Sequence, residues 1–300
     1  MDMQWLDDVL VLLEERNMTR AAARRNITQP AFSRRIRGFE TWLGVEILDR
    51  QTNRIEISSA LTSNEAEIRA LVARIGELRK KIALYDPTRA VVTIAAQHAP
   101  VFSTFPDMAL RAKSAFPALR FRMRAGNLND CVTLFLRGDA SMLLCYEAQS
   151  AKPLQFGADV VKGLWGHDYL IPVVGGALRY AVKDTLQIPD DTPAIVYPDE
   201  SYFGQVLNRN ARAFGTAGQS TNPVCETAFS SGTREMVMQG LGVGWLPMRM
   251  IHQELASGSV VSLANRYGQE TLDVSIYADA RTELAVQLSQ FWGRRGASGT

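Results

Sequence analysis

Between Thr28 and Leu43 the chain spells a helix with two faces that cannot both be buried. Phe32, Ile36, Phe39 and Leu43 recur at steps of four, three and four, which puts them on one side of an α-helix. Pro30, Ser33, Arg34 and Arg37 fall on the other side, with Arg34 nearly diametrically opposite the apolar stripe. The start is well signalled. Thr28 sits at the N-cap position, Pro30 falls in the first turn where its missing N–H costs little, and Ile27 and Phe32 form a hydrophobic-staple pair. Such a helix needs an apolar bed behind it and leaves a front of short polar and long basic groups for a partner.

The preceding residues can supply the bed. Trp5, Leu6, Val9, Leu10 and Leu13 predict an amphipathic helix over roughly 4–16, which Asn17-Met18 breaks. Thr19 can cap a second, short helix whose Ala21, Ala22 and Ala23 let another helix approach closely. Asn26 suits a tight turn because it tolerates the left-handed conformation. Helix, short helix, turn and helix is the helix-turn-helix arrangement. Beyond it, Val45, Ile47 and Leu48, then Gln51-Thr52-Asn53-Arg54, then Ile55 and Ile57 read as strand, turn and strand, a wing with Asn53 and Arg54 near its tip. A small helical subdomain with a basic face is the plainer alternative.

Charge sharpens the reading. The chain is only +2 overall, but residues 19–54 hold eight arginines (Arg20, Arg24, Arg25, Arg34, Arg35, Arg37, Arg50, Arg54) against Glu40, Glu46 and Asp49, a local net charge of +5. A compact basic segment suggests phosphate contacts, although from charge alone a solvated basic face fits equally. The major groove admits one helix, and an arginine can bond bidentately to guanine.

Leu61, Ile68, Ile75 and Ile82 then recur every seven residues, with Leu71 and Leu78 three after two of them. This is an a/d heptad that suits a two-helix coiled coil, imperfect at Asn64 and Tyr85 and ended by Asp86-Pro87. A single amphipathic helix packed on its own chain is the alternative. Residues 89–300 alternate strand-like and helix-like segments, which implies a mostly parallel sheet with crossover helices. A new series starts after Trp165, so two α/β subdomains joined by two crossings are expected.

The stretch from Ala21 to Arg37, with Phe39-Glu40, Leu43-Gly44-Val45 and Leu48-Asp49-Arg50 after it, resembles the signature of LysR-type transcriptional regulators. The resemblance implies an α/β chain of three parts: a winged helix-turn-helix DNA-binding domain (1–58), a long linker helix for dimerisation (59–88), and a periplasmic-binding-protein-like type 2 effector domain (89–300). Within the last, subdomain I would take 89–163 and 266–300, and subdomain II 164–265. Phe116-Pro117-Ala118-Leu119, Leu136-Arg137-Gly138-Asp139 and Gly240 to Pro247 match recurrent landmarks of that domain. The chain departs from the family at Asn64-Glu65, where an Ala-Gly pair is usual, and at Ser141, where Asp is usual. By the same resemblance Thr28, Gln29, Pro30, Ser33 and Arg34 face DNA, and Arg24, Arg37, Arg50 and Arg54 meet its backbone. Ser33 and Arg34 would read base edges with help from Gln29.

In such folds ligands bind outside the carboxyl ends of strands, between the lobes. The first strand of the domain ends at Ala96, which puts Gln97, His98 and Ala99 at the cleft mouth, and Pro100 then starts a helix whose free N–H groups favour anions. Ser201, Tyr202, Phe203 and Thr227 follow two further strand ends. These are candidate contacts for a small polar or anionic effector, or ordinary loop residues. His98, the 201–209 segment and Gly244-Trp245-Leu246-Pro247 look closest to the hypochlorite-responsive branch, in which case Met236, Met238, Met248 or Met250 could sense an oxidant through sulfur; packing within the core is their other reading.

Other classes fare worse. The composition, 46% hydrophobic and 21% charged, excludes a disordered chain. No apolar run approaches a membrane span, no signal peptide is legible, and Cys131, Cys145 and Cys225 are few and widely spaced, which points to the cytoplasm and to no membrane partner. His98, His167 and His252 form no metal-ligand spacing, and no phosphate loop or nucleophile elbow is present, so neither enzyme activity nor a cofactor or metal is expected. A solute-binding protein without a DNA-regulatory role is the remaining rival, and it leaves residues 19–54 unexplained. The expected partners are promoter DNA, a second copy of the chain in a homodimer or homotetramer, a small effector, and RNA polymerase as a candidate contact.

Overall fold

The computed structural model describes residues 3–49, 56–83, 90–182, 186–189, 191–209 and 222–293. It divides into two compact units, Met1–Pro87 and Thr88–Thr300, each built on its own hydrophobic core.

The first unit opens with α1 (Met3–Glu15), α2 (Met18–Arg24) and α3 (Gln29–Leu43). Asn17, not Thr19, caps α2: its Oδ1 accepts from Arg20 N at 3.0 Å, two residues earlier than expected. Asn26 takes the left-handed conformation (φ 56°) at the turn, as its type allows. Thr28 occupies the N-cap of α3 and Pro30 its first turn. Phe32, Ile36 and Phe39 are buried in a core made with Leu6, Val9, Leu10, Leu13, Ala21 and Ala22. Leu43 departs from the expected stripe: it is 42% exposed, because α3 ends there and Gly44 turns away with φ 76°. Two-residue strands β1 (Leu48–Asp49) and β2 (Glu56–Ile57) pair antiparallel as the base of the wing. Its tip, with Arg50, Asn53 and Arg54, lies outside the described residues. The expected single linker helix is divided into α4 (Ser59–Ser63) and α5 (Glu65–Ala83). Asn64 marks the break, its side chain donating back to Ala60 O. The expected helix end at Tyr85 and Asp86-Pro87 lies outside the described residues.

The second unit runs β3 (Val91–Gln97), α6 (His98–Ser103), α7 (Phe105–Ala115), β4 (Arg120–Gly126), α8 (Leu128–Leu136), β5 (Met142–Ala148) and β6 (Val160–Gly175). It continues with α9 (Leu178–Val182), β7 (Ala194–Val196), α10 (Tyr202–Arg209), β8 (Pro223–Glu226), α11 (Ser230–Met238), β9 (Gly244–Pro247), α12 (His252–Ser257), β10 (Val260–Ser262), α13 (Ala264–Tyr267), β11 (Glu270–Asp279) and α14 (Glu283–Gly293). The main sheet has the order β10-β6-β11-β5-β3-β4, with β9 also on β6. It is mixed rather than mostly parallel. β3 pairs parallel with β4 and β5, but β11 is antiparallel to β5 and β6, and β9 and β10 are antiparallel to β6. The reason is the return path: β11 comes back between β5 and β6 to complete the first subdomain. The break expected near Trp165 lies inside β6, whose 16 residues carry the chain from one subdomain to the other. A smaller parallel pair, β7 and β8, belongs to the second subdomain.

Candidate nucleic-acid interface and ligand cleft

On α3 the predicted outward residues are outward. Thr28, Gln29, Pro30, Arg34 and Arg37 are exposed and Ser33 is half-buried. The arginines, alike in the sequence, separate into two groups. Arg24 bonds to Glu14 at 2.7 Å and to Glu15 at 3.0 Å, and Arg20 lies 3.5 Å from Glu15. Glu15 and Glu14 hold the Arg24 guanidinium above its ordinary pKa, and Arg69 of α5 at 2.8 Å, with Arg24, holds Glu14 below its own. Arg25 donates to Asp8 Oδ1 at 2.5 Å, and Arg35 lies 3.4 Å from Asp8 Oδ2. Arg34 and Arg37 have no ion pair or side-chain hydrogen bond among the described residues. The cationic front of the helix therefore reduces to Arg34 and Arg37.

Two acids that pattern reading did not single out place this face. Asp8 of α1 is fully buried between α2 and α3. Glu40, also buried, accepts from Ile47 N at 3.0 Å and so ties the end of α3 to the start of the wing. Asp8 does break an otherwise apolar helix face, which is the one trace it leaves in the sequence.

In the second unit a cleft of about 340 Å³, its open mouth included, lies outside the carboxyl ends of β3, β4, β7 and β8. Six of the seven expected residues line it: Gln97, His98, Ala99, Ser201, Tyr202 and Phe203. The seventh, Thr227, is not in the lining; its hydroxyl accepts from Phe229 N at 3.2 Å and shapes the turn instead. The lining also includes Tyr197, Ala228 and Ser230, which lie in the segments that follow β7 and β8, and Gly126, Asn127 and Leu128 after β4, the strand end that sequence reasoning missed because it carries no distinctive residue. α6 starts at His98 rather than Pro100, with Gln97 at its N-cap.

Most polar groups in the cleft are already engaged. Gln97 Oε1 accepts from Tyr146 N at 2.7 Å, leaving its amide N–H groups for the cleft. Tyr197 O–H donates to Trp245 O at 3.0 Å, and its oxygen lies 2.9 Å from Ser230 Oγ. Ser201 Oγ donates to Pro198 O and accepts from Gly204 N; a Cβ at Gly204 would come within 2.0 Å of Pro198 O, so this turn needs glycine. Tyr202 reaches from α10 to the end of β5, its hydroxyl accepting from Ala148 N at 2.6 Å. The His98 ring packs against Phe229 at 4.6 Å, and burial lowers its pKa, so it is neutral at neutral pH. Among the described residues, no charged side chain is in the lining. A ligand here would meet neutral donors: the Gln97 amide, the Asn127 side chain and the first N–H groups of α8 and α10.

Behind the cleft, α6 leads to a buried network. Ser103 Oγ lies 2.9 Å from Tyr146 Oη, which donates to Asp168 Oδ2 at 2.6 Å; Asp168 Oδ1 accepts from Tyr169 N and Arg249 N. Of the four methionines, Met250 is in the core, Met236 and Met238 pack partly against it, and Met248 is exposed.

Residues 3–62 match the family described as bacterial regulatory helix-turn-helix protein, lysR family, and residues 86–294 match the LysR substrate binding domain. The chain is 27% identical over 301 residues to the HTH-type transcriptional regulator YjiE of Escherichia coli (strain K12), spanning 96% of this chain and 92% of that one. Two solved structures are similar over their whole length. Full-length HypT from Salmonella typhimurium, a hypochlorite-specific LysR-type transcriptional regulator, shares 24% identity at a TM-score of 0.68, covering 100% of each chain. Vibrio fischeri DarR in complex with DNA shares 23% at 0.67, covering 100% of this chain and 99% of that one. At these identities the two structures establish a common fold.

Proposed function

The chain belongs to the LysR family of DNA-binding transcriptional regulators with an effector-binding domain, and from that premise we propose that Arg34 and Ser33 read base edges in the major groove, with Gln29 assisting and Arg37 on the phosphate backbone. The observation that carries the assignment is that Arg34 and Arg37 are exposed and have no ion pair among the described residues, beside arginines held by acids. The cleft of the second unit takes a small, uncharged or anionic hydrogen-bond acceptor, and its occupancy biases the arrangement of the two subdomains. The chain acts as a homodimer or a higher even assembly through the outer seam of α5, where Leu71, Leu78 and Ile82 are exposed.

Fluorescence anisotropy on the intergenic duplex beside its own gene, across a salt series, tests the reading. Arg34→Ala is expected to weaken specific binding by roughly five- to 150-fold, the range of a lost bidentate base contact. Arg24→Ala is expected to leave the salt dependence unchanged, because its guanidinium serves Glu14 and Glu15. Full binding by Arg34→Ala would remove α3 from the interface. The same assay screens small acceptors and oxidants as signals.

A further inference from the structure

Asp8 has no part in the reading so far, yet among the described residues no other acid of the first unit is sealed from water so completely. Its side chain has no exposed surface, and its two oxygens face two different helices. Arg25, the C-cap of α2, donates its Nε–H to Oδ1 at 2.5 Å; Arg35, midway along α3, approaches Oδ2 at 3.4 Å. Asp7 stands 3.8 Å from the same Arg25. One carboxylate on α1 thus fixes the last residue before the turn and the helix after it, and it does so through charges that a phosphate backbone would otherwise attract. A buried charge persists only where partners satisfy it, and breaking such a set leaves uncompensated charge behind.

We propose that Asp8 is the positioning residue of the DNA-reading helix: it sets the α2–α3 turn and withholds Arg25 and Arg35 from the phosphates, so that Arg34 and Arg37 decide where the protein binds. Two sequence-blind cations are removed from the interface, and non-specific affinity falls relative to specific affinity. The proposal rests on the reading of α3 as the DNA-contacting helix. It adds that the basic segment is deliberately under-used.

The experiment compares the full-length protein with Asp8→Asn, which keeps the side-chain shape and removes the charge. Binding is measured on the intergenic duplex and on a scrambled duplex of equal length and composition, across a potassium chloride series. Asp8→Asn is expected to bind the scrambled duplex more tightly, to lower the ratio of specific to non-specific affinity by about tenfold or more, and to steepen the plot of log K against log salt by about one to two, since each added phosphate contact contributes roughly 0.9 to that slope. A lost fold alone would weaken both duplexes together and would not steepen the slope. An unchanged ratio and slope in a folded Asp8→Asn protein overturns the proposal.

Should Asp8→Asn fail to fold, Arg35→Gln serves, because it leaves Asp8 its bond to Arg25. A withheld Arg35 predicts a slope equal to the parent's; a slope shallower by about 0.9 would make Arg35 a phosphate contact and overturn the proposal. Arg34→Ala, run alongside, separates the two levels: if it binds normally, the reading of α3 itself fails, whatever Asp8 does.

Discussion

Asp168 is a carboxylate almost wholly cut off from water on the strand that passes between the two subdomains. Burial is the largest influence on it and raises its pKa, against the opposing pull of Tyr146, the Tyr169 and Arg249 amides, and the Arg249 charge. The sign of its effect on stability follows. Between the unfolded and the raised folded pKa the native state binds more protons than the unfolded chain, so the contribution of this group is present below the unfolded pKa and is lost as pH rises through the folded one. At neutral pH the charge is therefore a burden. Asp168→Asn keeps an oxygen for the two amides and offers Tyr146 an N–H, so it is expected to melt at or above the parent temperature at pH 7, with the difference shrinking as pH falls. Thermal melts at several pH values check this. A loss of several degrees at every pH would mean that the charge itself holds the strand. Nothing in the pattern of residues announced this network: His167-Asp168 reads as a break before a strand starting at Tyr169, because the partners Tyr146 and Ser103 lie far away in the chain.

At the scale of elements, legibility tracked how local the cause was. The start of α3 follows from neighbours in sequence, and the cap position, first-turn proline and staple pair were readable there; its end was not, since Leu43 is released by a turn at Gly44 that continues into the wing. The main sheet is mixed where the alternation of strand-like and helix-like segments implies a mostly parallel one, because strand direction is fixed only by the return path, which brings β11 back between β5 and β6. α5 packs on its own unit, the single-helix reading of its heptad, and leaves part of the stripe exposed. Ile68, Val72 and Ile75 pack against the core of the first unit, whereas Leu71, Leu78 and Ile82, on the flank of the same stripe, are exposed. Burying a leucine is worth about 1.5–3 kcal/mol, so this seam is a strong reason for two copies to associate. The double substitution Leu71→Asp and Leu78→Asp is expected to give monomer mass in light scattering behind size-exclusion chromatography, with helix content by circular dichroism retained. An unchanged oligomer would place self-association elsewhere.

The candidate cleft is a property of the whole second unit, since four strand ends from two subdomains meet there. The rule that ligands sit beyond the carboxyl ends of strands found the segments after β3, β7 and β8 and missed the one after β4, where Gly126-Asn127-Leu128 carries nothing distinctive. Tyr202 lies at the centre of this assembly. It starts α10 in one subdomain, packs against the main core, and hydrogen-bonds the Ala148 amide at the end of β5 in the other. Losing that bond leaves a partly buried N–H without an acceptor, a cost of about 1–3 kcal/mol. It should also let the subdomains part more often, because no backbone pairing replaces a side-chain strap. Tyr202→Phe is therefore expected to raise hydrogen exchange at the Ala148 amide by roughly fivefold to 150-fold, the equivalent of that cost, while exchange at Leu144 and Cys145 within β5 stays close to the parent's. Faster exchange along all of β5 would indicate general loosening and not a strap. Unchanged exchange at Ala148 would mean that the subdomains are held by the β6 and β11 crossings alone, so that a cleft ligand would have to act by bending those strands.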